Sequence, residues 1–197
     1  MSSLSHDFNS ANCEGLFIGI SGLIGAGKST LATALAKELN LPVYYEPVID
    51  NVYLADFYQD MQKYSFQLQV YLLNKRFKQQ QQIIWEGKGG VQDRTIYEDS
   101  VFARMLRDSG HLEERDFRTY MELFGNMSNF MKKPNVIVHL DALYNAYEHF
   151  IADIARVIPV IKVDYSRFRT AEEMAKVVKA EYAIIANVRH VHFDNVI

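Results

Sequence analysis

Gly22-Leu23-Ile24-Gly25-Ala26-Gly27-Lys28-Ser29-Thr30 matches G-x-x-x-x-G-K-[ST] in full. The pattern carries weight only between a strand and a helix, and both flanks fit. Residues 16–21 form an apolar run that closes on Ser21, ahead of Gly22, as a buried parallel strand does. Residues 28–39 place Leu31, Leu35 and Leu39 at helical spacing. Glycines permit the dihedrals that turn successive N–H groups inward, and the helix N-terminus behind them completes an anion cradle. Gly22, Gly25, Ala26, Gly27 and Thr30 belong to that cradle. Lys28 brings a point charge to the outer phosphates, and the Ser29 hydroxyl is placed to ligate Mg²⁺. The motif implies a bound nucleoside triphosphate. It leaves open whether water, a protein or a small molecule receives the phosphate.

Outward from this loop, short β-rich runs alternate with longer helical patterns. Strands are expected at 43–45, 90–92, 136–140 and 159–163, and helices at 61–85, 97–107, 113–131, 143–156 and 170–186. In 61–85 the apolar positions Phe66, Val70, Leu73 and Phe77 repeat at three and four residues. Five strands alternating with helices predict an α/β chain, a five-stranded parallel sheet with helices on both faces. Ligands in such sheets bind beyond the carboxyl ends of the strands.

Composition agrees and excludes other classes. The 197 residues suffice for one domain, expected at 15–197 behind a flexible tail at 1–14. Apolar residues at 49% and charged residues at 23% exclude a disordered chain. A net charge of -3 without a dense basic block argues against nucleic acid as a partner. The absence of a long apolar run argues against a membrane span. The single cysteine, Cys13, cannot pair within the chain and fits a reducing compartment. With no signal-peptide or transit-peptide pattern, the expected location is the cytoplasm.

Two further strand ends carry charge. The second ends in Tyr44-Tyr45-Glu46-Pro47, where a carboxylate beside a phosphate loop suits a general base for a hydroxyl acceptor, although a solvated Glu before a Pro turn gives the same letters. The third ends in Asp93-Arg94-Thr95, where a carboxylate suits Mg²⁺ and a guanidinium suits phosphate. A structural ion pair would read alike.

Glu46-Pro47-Val48, the run from Phe57-Tyr58 through Tyr64-Ser65-Phe66 to Gln69, Lys75-Arg76-Phe77, and Asp93-Arg94-Thr95-Ile96-Tyr97-Glu98-Asp99 follow one another in the order seen in the deoxynucleoside kinases. The chain resembles that family, and within it the compact deoxyadenosine/deoxyguanosine kinases, from about Leu16 to Asp141 and again over the final third. The resemblance implies a P-loop kinase fold and transfer of the ATP γ-phosphoryl group, with Mg²⁺, to the 5'-hydroxyl of a deoxynucleoside. A purine deoxynucleoside is favoured and deoxycytidine is compatible.

On the same resemblance, Glu46 would take the 5'-hydroxyl proton. Arg94 would hold that carboxylate and contact transferring phosphate, and Asp93 would stand near Mg²⁺. Tyr58 would contact the sugar 3'-hydroxyl, Gln69 the base edge, and Arg76 with Asp99 would clamp the base. Ile24, Val48, Leu54, Leu68, Leu72 and Phe102 would wall the pocket. The residue chemistry is consistent: Gln69 and Arg76 are seven apart and share one helix face, an amide offers both donor and acceptor, and an Arg paired with a carboxylate holds a fixed fork.

Two rival readings stand beside this one. A thymidylate-type nucleoside monophosphate kinase resembles the chain in its loop and Asp-Arg element, but it places an arginine where Tyr45 stands, so the acceptor phosphate would lack its cation. A non-catalytic nucleotide switch would need neither an acceptor base nor an acceptor pocket.

Gln79 to Gln82 read as a solvated helix face, and His190-Val191-His192 as an extended surface segment rather than a zinc site. Met121, Phe124, Met127 and Met131 form an apolar stripe, a core face or the seam of a homodimer paired through helices. The resemblance also implies a helix and an Arg-rich lid between the fourth strand and the helix at 143–156. Here Asp141 and Ala142 are consecutive, so a lid segment is expected to be missing between them.

Overall fold

The computed structural model describes residues 15–46, 51–141, 146–164 and 170–193. Twelve elements follow in chain order: β1 Phe17–Gly22, α1 Lys28–Leu39, β2 Val43–Tyr44, α2 Leu54–Gln59, α3 Met61–Glu86, β3 Gly90–Asp93, α4 Ile96–Asp108, α5 Glu114–Asn129, β4 Val136–Asp141, α6 Ala146–Ile154, β5 Val160–Asp164 and α7 Ala171–Phe193. All four strand pairings are parallel, in the order β2-β3-β1-β4-β5. The expected α/β sheet is therefore present, with β1 at its centre. The N-terminal tail, Val48 and the junction at Ala142 lie outside the described residues.

Each face of the sheet has its own core. On one face Leu31, Leu35 and Leu39 of α1, with Met174, Ala175 and Val178 of α7, pack on Ile18, Ile20, Val136 and Val138. On the other, Leu73 of α3, Ile96 and Val101 of α4, Tyr120 of α5 and Phe150 of α6 surround Ile137. β1 is buried along its whole length, which explains its unbroken apolar run.

Gly22, where β1 turns into the phosphate loop, has φ 142°. A Cβ there would lie 2.9 Å from the Leu140 carbonyl oxygen, because β4 runs alongside with Leu140 opposite Gly22. The first glycine of the motif is thus required by the neighbouring strand as well as by the turn.

Two expectations need correction, and the short helix α2 is an addition, since six residues are too few for periodicity to register. His190-Val191-His192 is helical, not extended: nothing after 186 breaks α7, which runs to Phe193. Gln80 is fully buried, and its amide donates to the Lys132 carbonyl at 3.0 Å, so the glutamine run is not wholly a solvated face. Of the apolar stripe, Met121, Phe124 and Met127 are half-buried against the second core.

Leu35 is wholly inaccessible. Leu35→Ala is expected to destabilise the fold by about 2–5 kcal/mol, readable as a lowered midpoint in urea unfolding.

Candidate active site

The strand order sets the site. β2, β3 and β1 are neighbours, so Glu46, Asp93-Arg94 and the phosphate loop emerge side by side at the carboxyl edge. The loop closes on itself through Ala26 N–H donating to the Leu23 carbonyl at 3.2 Å. Gly27 precedes α1 in the left-handed region, and no side chain caps the helix. The first-turn N–H groups keep the loop's character as an anion cradle.

Lys28 is folded back, its Nζ donating to the Leu23 carbonyl at 2.6 Å. Burial, and secondarily Arg94, pushes its ammonium below the ordinary lysine value. A polyanion in the cradle relieves that cost. Ser29 Oγ donates to Asp93 Oδ2, while Asp93 Oδ1 is buried without a hydrogen-bond partner. Burial raises the Asp93 carboxyl, with the Ser29 hydrogen bond acting the other way. A hydroxyl, a carboxylate and an unsatisfied oxygen are hard donors. They fit Mg²⁺, which keeps several waters and takes its other ligands from phosphates. No cluster of three or more His, Cys, Asp or Glu able to hold a metal occurs among the described residues.

Next to the loop lies a buried charge cluster. Arg76 ion-pairs with both Glu46 Oε1 and Asp99 Oδ1. Arg94 Nε lies 3.3 Å from Glu46 Oε2. The side chains of Arg76, Arg94 and Asp99 are at most 3% exposed, whereas that of Glu46 is 22% exposed. Glu46 is thus gripped from two sides, one arginine per oxygen, and still keeps part of its side chain exposed. Burial pulls the Arg76 guanidinium below its ordinary value despite Glu46. For Arg94 burial acts in the same direction, but Glu98 and then Glu46 outweigh it and raise the value.

The expected nucleoside residues divide into groups. Gln69 and Arg76 share the buried stripe of α3 with Ser65, Leu68, Leu73 and Gln80, and Gln69 Oε1 has no hydrogen-bond partner. Leu54 and Leu72 are half-buried. Phe102, also half-buried, lies under Arg94, whose guanidinium carbon is 4.7 Å from the ring centroid. Ile24 and Tyr58, by contrast, are 79% and 64% exposed, outside the buried cluster. Glu98, to which the sequence gives no role, is also buried here, its Oε1 3.6 Å from Arg94 Nη1; an acid in a first helical turn carries no signal of facing inward.

The deoxynucleoside kinase family model matches residues 18–152. The chain belongs to the deoxynucleoside kinase family. A deoxyadenosine kinase of Dictyostelium discoideum is 54% identical over 208 residues, covering 92% of this chain and 85% of that one. A deoxyadenosine/deoxycytidine kinase of Bacillus subtilis (strain 168) is 43% identical over 127 residues, 63% of this chain and 58% of its own length. Among solved structures, deoxyadenosine kinase from M. mycoides with bound dATP superposes with a TM-score of 0.73 at 24% identity, covering 85% of this chain and 100% of that one. The P-loop kinase fold is therefore shared. Because a 208-residue match occupies only 92% of 197 residues, more than two dozen positions of the Dictyostelium kinase face no residue in this one.

Removing Arg76 from the kinase would leave Asp99 buried without its counter-charge. Arg76→Ala is expected to destabilise the fold by about 3–5 kcal/mol. Asp99→Asn, which keeps the shape and an acceptor oxygen, is expected to cost less. Urea titration of the two variants checks the order.

Proposed function

We propose that this kinase transfers the γ-phosphoryl group of ATP to the 5'-hydroxyl of a purine deoxynucleoside, deoxyadenosine or deoxyguanosine. The observation that carries the reading is Glu46: a partly exposed carboxylate held by two buried arginines, with only β3 between its strand and the loop's. A phosphate-binding switch has no use for a partly open base backed by Arg76 and Asp99. A monophosphate acceptor would need a cation where Tyr45 stands, 48% exposed and hydrogen-bonded through its hydroxyl to Thr33 at 2.9 Å.

In this reading the 5'-hydroxyl reaches Glu46 from the open side, and Glu46 accepts its proton as the oxygen attacks. Arg76 and Arg94 fix the carboxylate so that no reorientation is needed at that moment. Ser29 and Asp93 would hold Mg²⁺, which when bound supplies charge neutralisation on the phosphates. Gln69, Arg76 and Asp99 recognise the base. Tyr58 is assigned to the sugar 3'-hydroxyl, and Ile24, Leu54, Leu68, Leu72, Val48 and Phe102 to the pocket wall. Val48 lies outside the described residues, and Ile24 and Tyr58 must swing inward from exposed positions.

The positions that face no residue in the match to the Dictyostelium kinase support a missing lid segment, assigned to the junction of Asp141 and Ala142. Lys28 and Arg94 are the cations that the described strand ends bring toward the phosphates, so turnover of this 197-residue chain is expected to be slow. We assign the kinase to the cytoplasm and to a homodimer paired through helices. Among the described residues no helix is long and apolar enough to cross a membrane. A cleft of about 640 Å³ between α4, α5 and α6, lined by Val101, Met105, Phe124, Phe150 and Ile154, supports the pairing face.

Glu46→Gln is expected to lower kcat by about 10²- to 10⁴-fold with the deoxynucleoside KM little changed. Coupled ADP-release assays with deoxyadenosine, with dTMP and without acceptor test both the base and the acceptor class, and near-normal turnover in the variant would refute the assignment. Met105, 41% exposed in the cleft, tests the pairing: Met105→Glu is expected to yield a monomer by light scattering, whereas an unchanged mass places the seam elsewhere.

A further inference from the structure

Glu98 has no part in the chemistry above, yet it is completely buried at the first turn of α4, directly behind the phosphate loop. Its Oε1 accepts the Gly22 N–H at 3.0 Å and the Tyr147 hydroxyl at 2.7 Å. The same oxygen lies 3.6 Å from Arg94 Nη1. The carbonyl of Gly22 accepts from Arg94 Nη2 at 3.2 Å, and the Tyr147 hydroxyl oxygen, whose one proton goes to Glu98, lies 3.4 Å from it. Gly22 is therefore held at its N–H by Glu98 of α4 and at its carbonyl by Arg94, just after β3, with Tyr147 of α6 touching both Glu98 and that carbonyl.

We propose that Glu98 is a positioning residue for phosphoryl transfer: with Tyr147 it locks the entrance of the phosphate loop to Arg94, and through Arg94 to Glu46. Arg94 commits each of its three nitrogens to a different partner. Nη1 faces Glu98, Nη2 faces the Gly22 carbonyl, and Nε faces Glu46. A guanidinium is planar and rigid. Fixing its two terminal nitrogens therefore fixes where Nε points, and so where Glu46 is held.

Arg94 itself sits at φ 70°, a left-handed conformation unusual for a side chain of its size. Such a conformation persists only where the surroundings determine it, and Glu98 supplies the buried counter-charge on that side. Tyr147 adds the third element. Its ring is buried between His139, centroid 5.1 Å away, and Phe150, at 6.1 Å, so the hydroxyl is aimed rather than free to rotate away. Burial, and then Glu98, raises the Tyr147 phenol above its ordinary value, which keeps it a donor.

The proposal rests on the kinase reading for its catalytic arm and on the loop alone for its binding arm. The test compares Glu98→Gln, which keeps the shape and an acceptor oxygen but removes the charge facing Arg94, with Tyr147→Phe, which removes one donor. Each variant is measured per folded molecule for kcat and deoxynucleoside KM, and for affinity to a fluorescent ATP analogue by titration. Glu98→Gln is expected to lower kcat about 10- to 100-fold and to weaken ATP-analogue binding severalfold, with the deoxynucleoside KM within about twofold. Tyr147→Phe is expected to move the same quantities in the same direction, by less.

A purely structural role would lower the melting temperature while leaving kcat and affinity per folded molecule at wild-type values, and that result overturns the proposal. If Glu98→Gln does not fold, Tyr147→Phe decides, since its ring still fills the same space: wild-type kinetics and affinity there overturn the proposal as well. A wild-type chain without turnover on any deoxynucleoside sinks the kinase reading instead, and the affinity arm still reads Glu98.

Discussion

Two guanidinium groups buried to within a few per cent of full exclusion are the constraint around which the sheet edge is organised. Removing an ion from water costs several kcal/mol even after relaxation. Arg76 and Arg94 therefore tolerate burial only where carboxylates meet them from fixed directions. Asp99 and Glu98 come from the first turn of α4, and Glu46 comes from the end of β2. The charges tie α3, α4 and the ends of β2 and β3 into one unit. Any sequence that keeps the arginines must keep these acids, and must keep the elements that deliver them in register.

The sheet order makes this possible. With β2, β3 and β1 adjacent, three successive carboxyl ends open on the same side. The register sets Asp93 opposite Ile20, two residues before the loop's first glycine, so the hydroxyl of Ser29 and the carboxylate of Asp93 meet across the gap. On the other flank β4 sets Leu140 against Gly22 so closely that no side chain fits. The phosphate loop is thus shaped from both sides by strands distant in sequence, and its geometry belongs to the sheet as much as to the motif.

Much of this was legible in the residues. The five strands and the loop announce themselves because their signals are local: an apolar run, a glycine pattern, a helical spacing of leucines. Glu46, Asp93 and Arg94 could be singled out because strand ends are where ligands bind in parallel sheets. The illegible parts share a different property. Gln80 lies in a polar run and is buried because α3 happens to present that angle to Lys132. Tyr147 reads as one more core aromatic, and only the packing of α6 against α4 brings its hydroxyl to Glu98. Glu98 reads as a favourable acid in a first helical turn, and nothing in its neighbours shows that it faces inward. Each depends on tertiary placement, which a local pattern does not carry.

Glu46 has a double attachment with a consequence for how recognition and chemistry combine. One of its oxygens faces Arg76, the arginine that with Asp99 is assigned to the base, and the other faces Arg94, which is tied to the phosphate loop. On the proposed assignment the carboxylate is the hinge between the nucleoside half of the site and the phosphate half. A base that fits poorly against Arg76 and Asp99 would then displace Arg76, and Arg76 would take one oxygen of Glu46 with it. The wrong nucleoside would be penalised in turnover and not in affinity alone, because binding energy at the base would be converted into alignment at the 5'-hydroxyl. Specificity in such a site resides less in the shape of the pocket than in the rigidity of the link between its two ends.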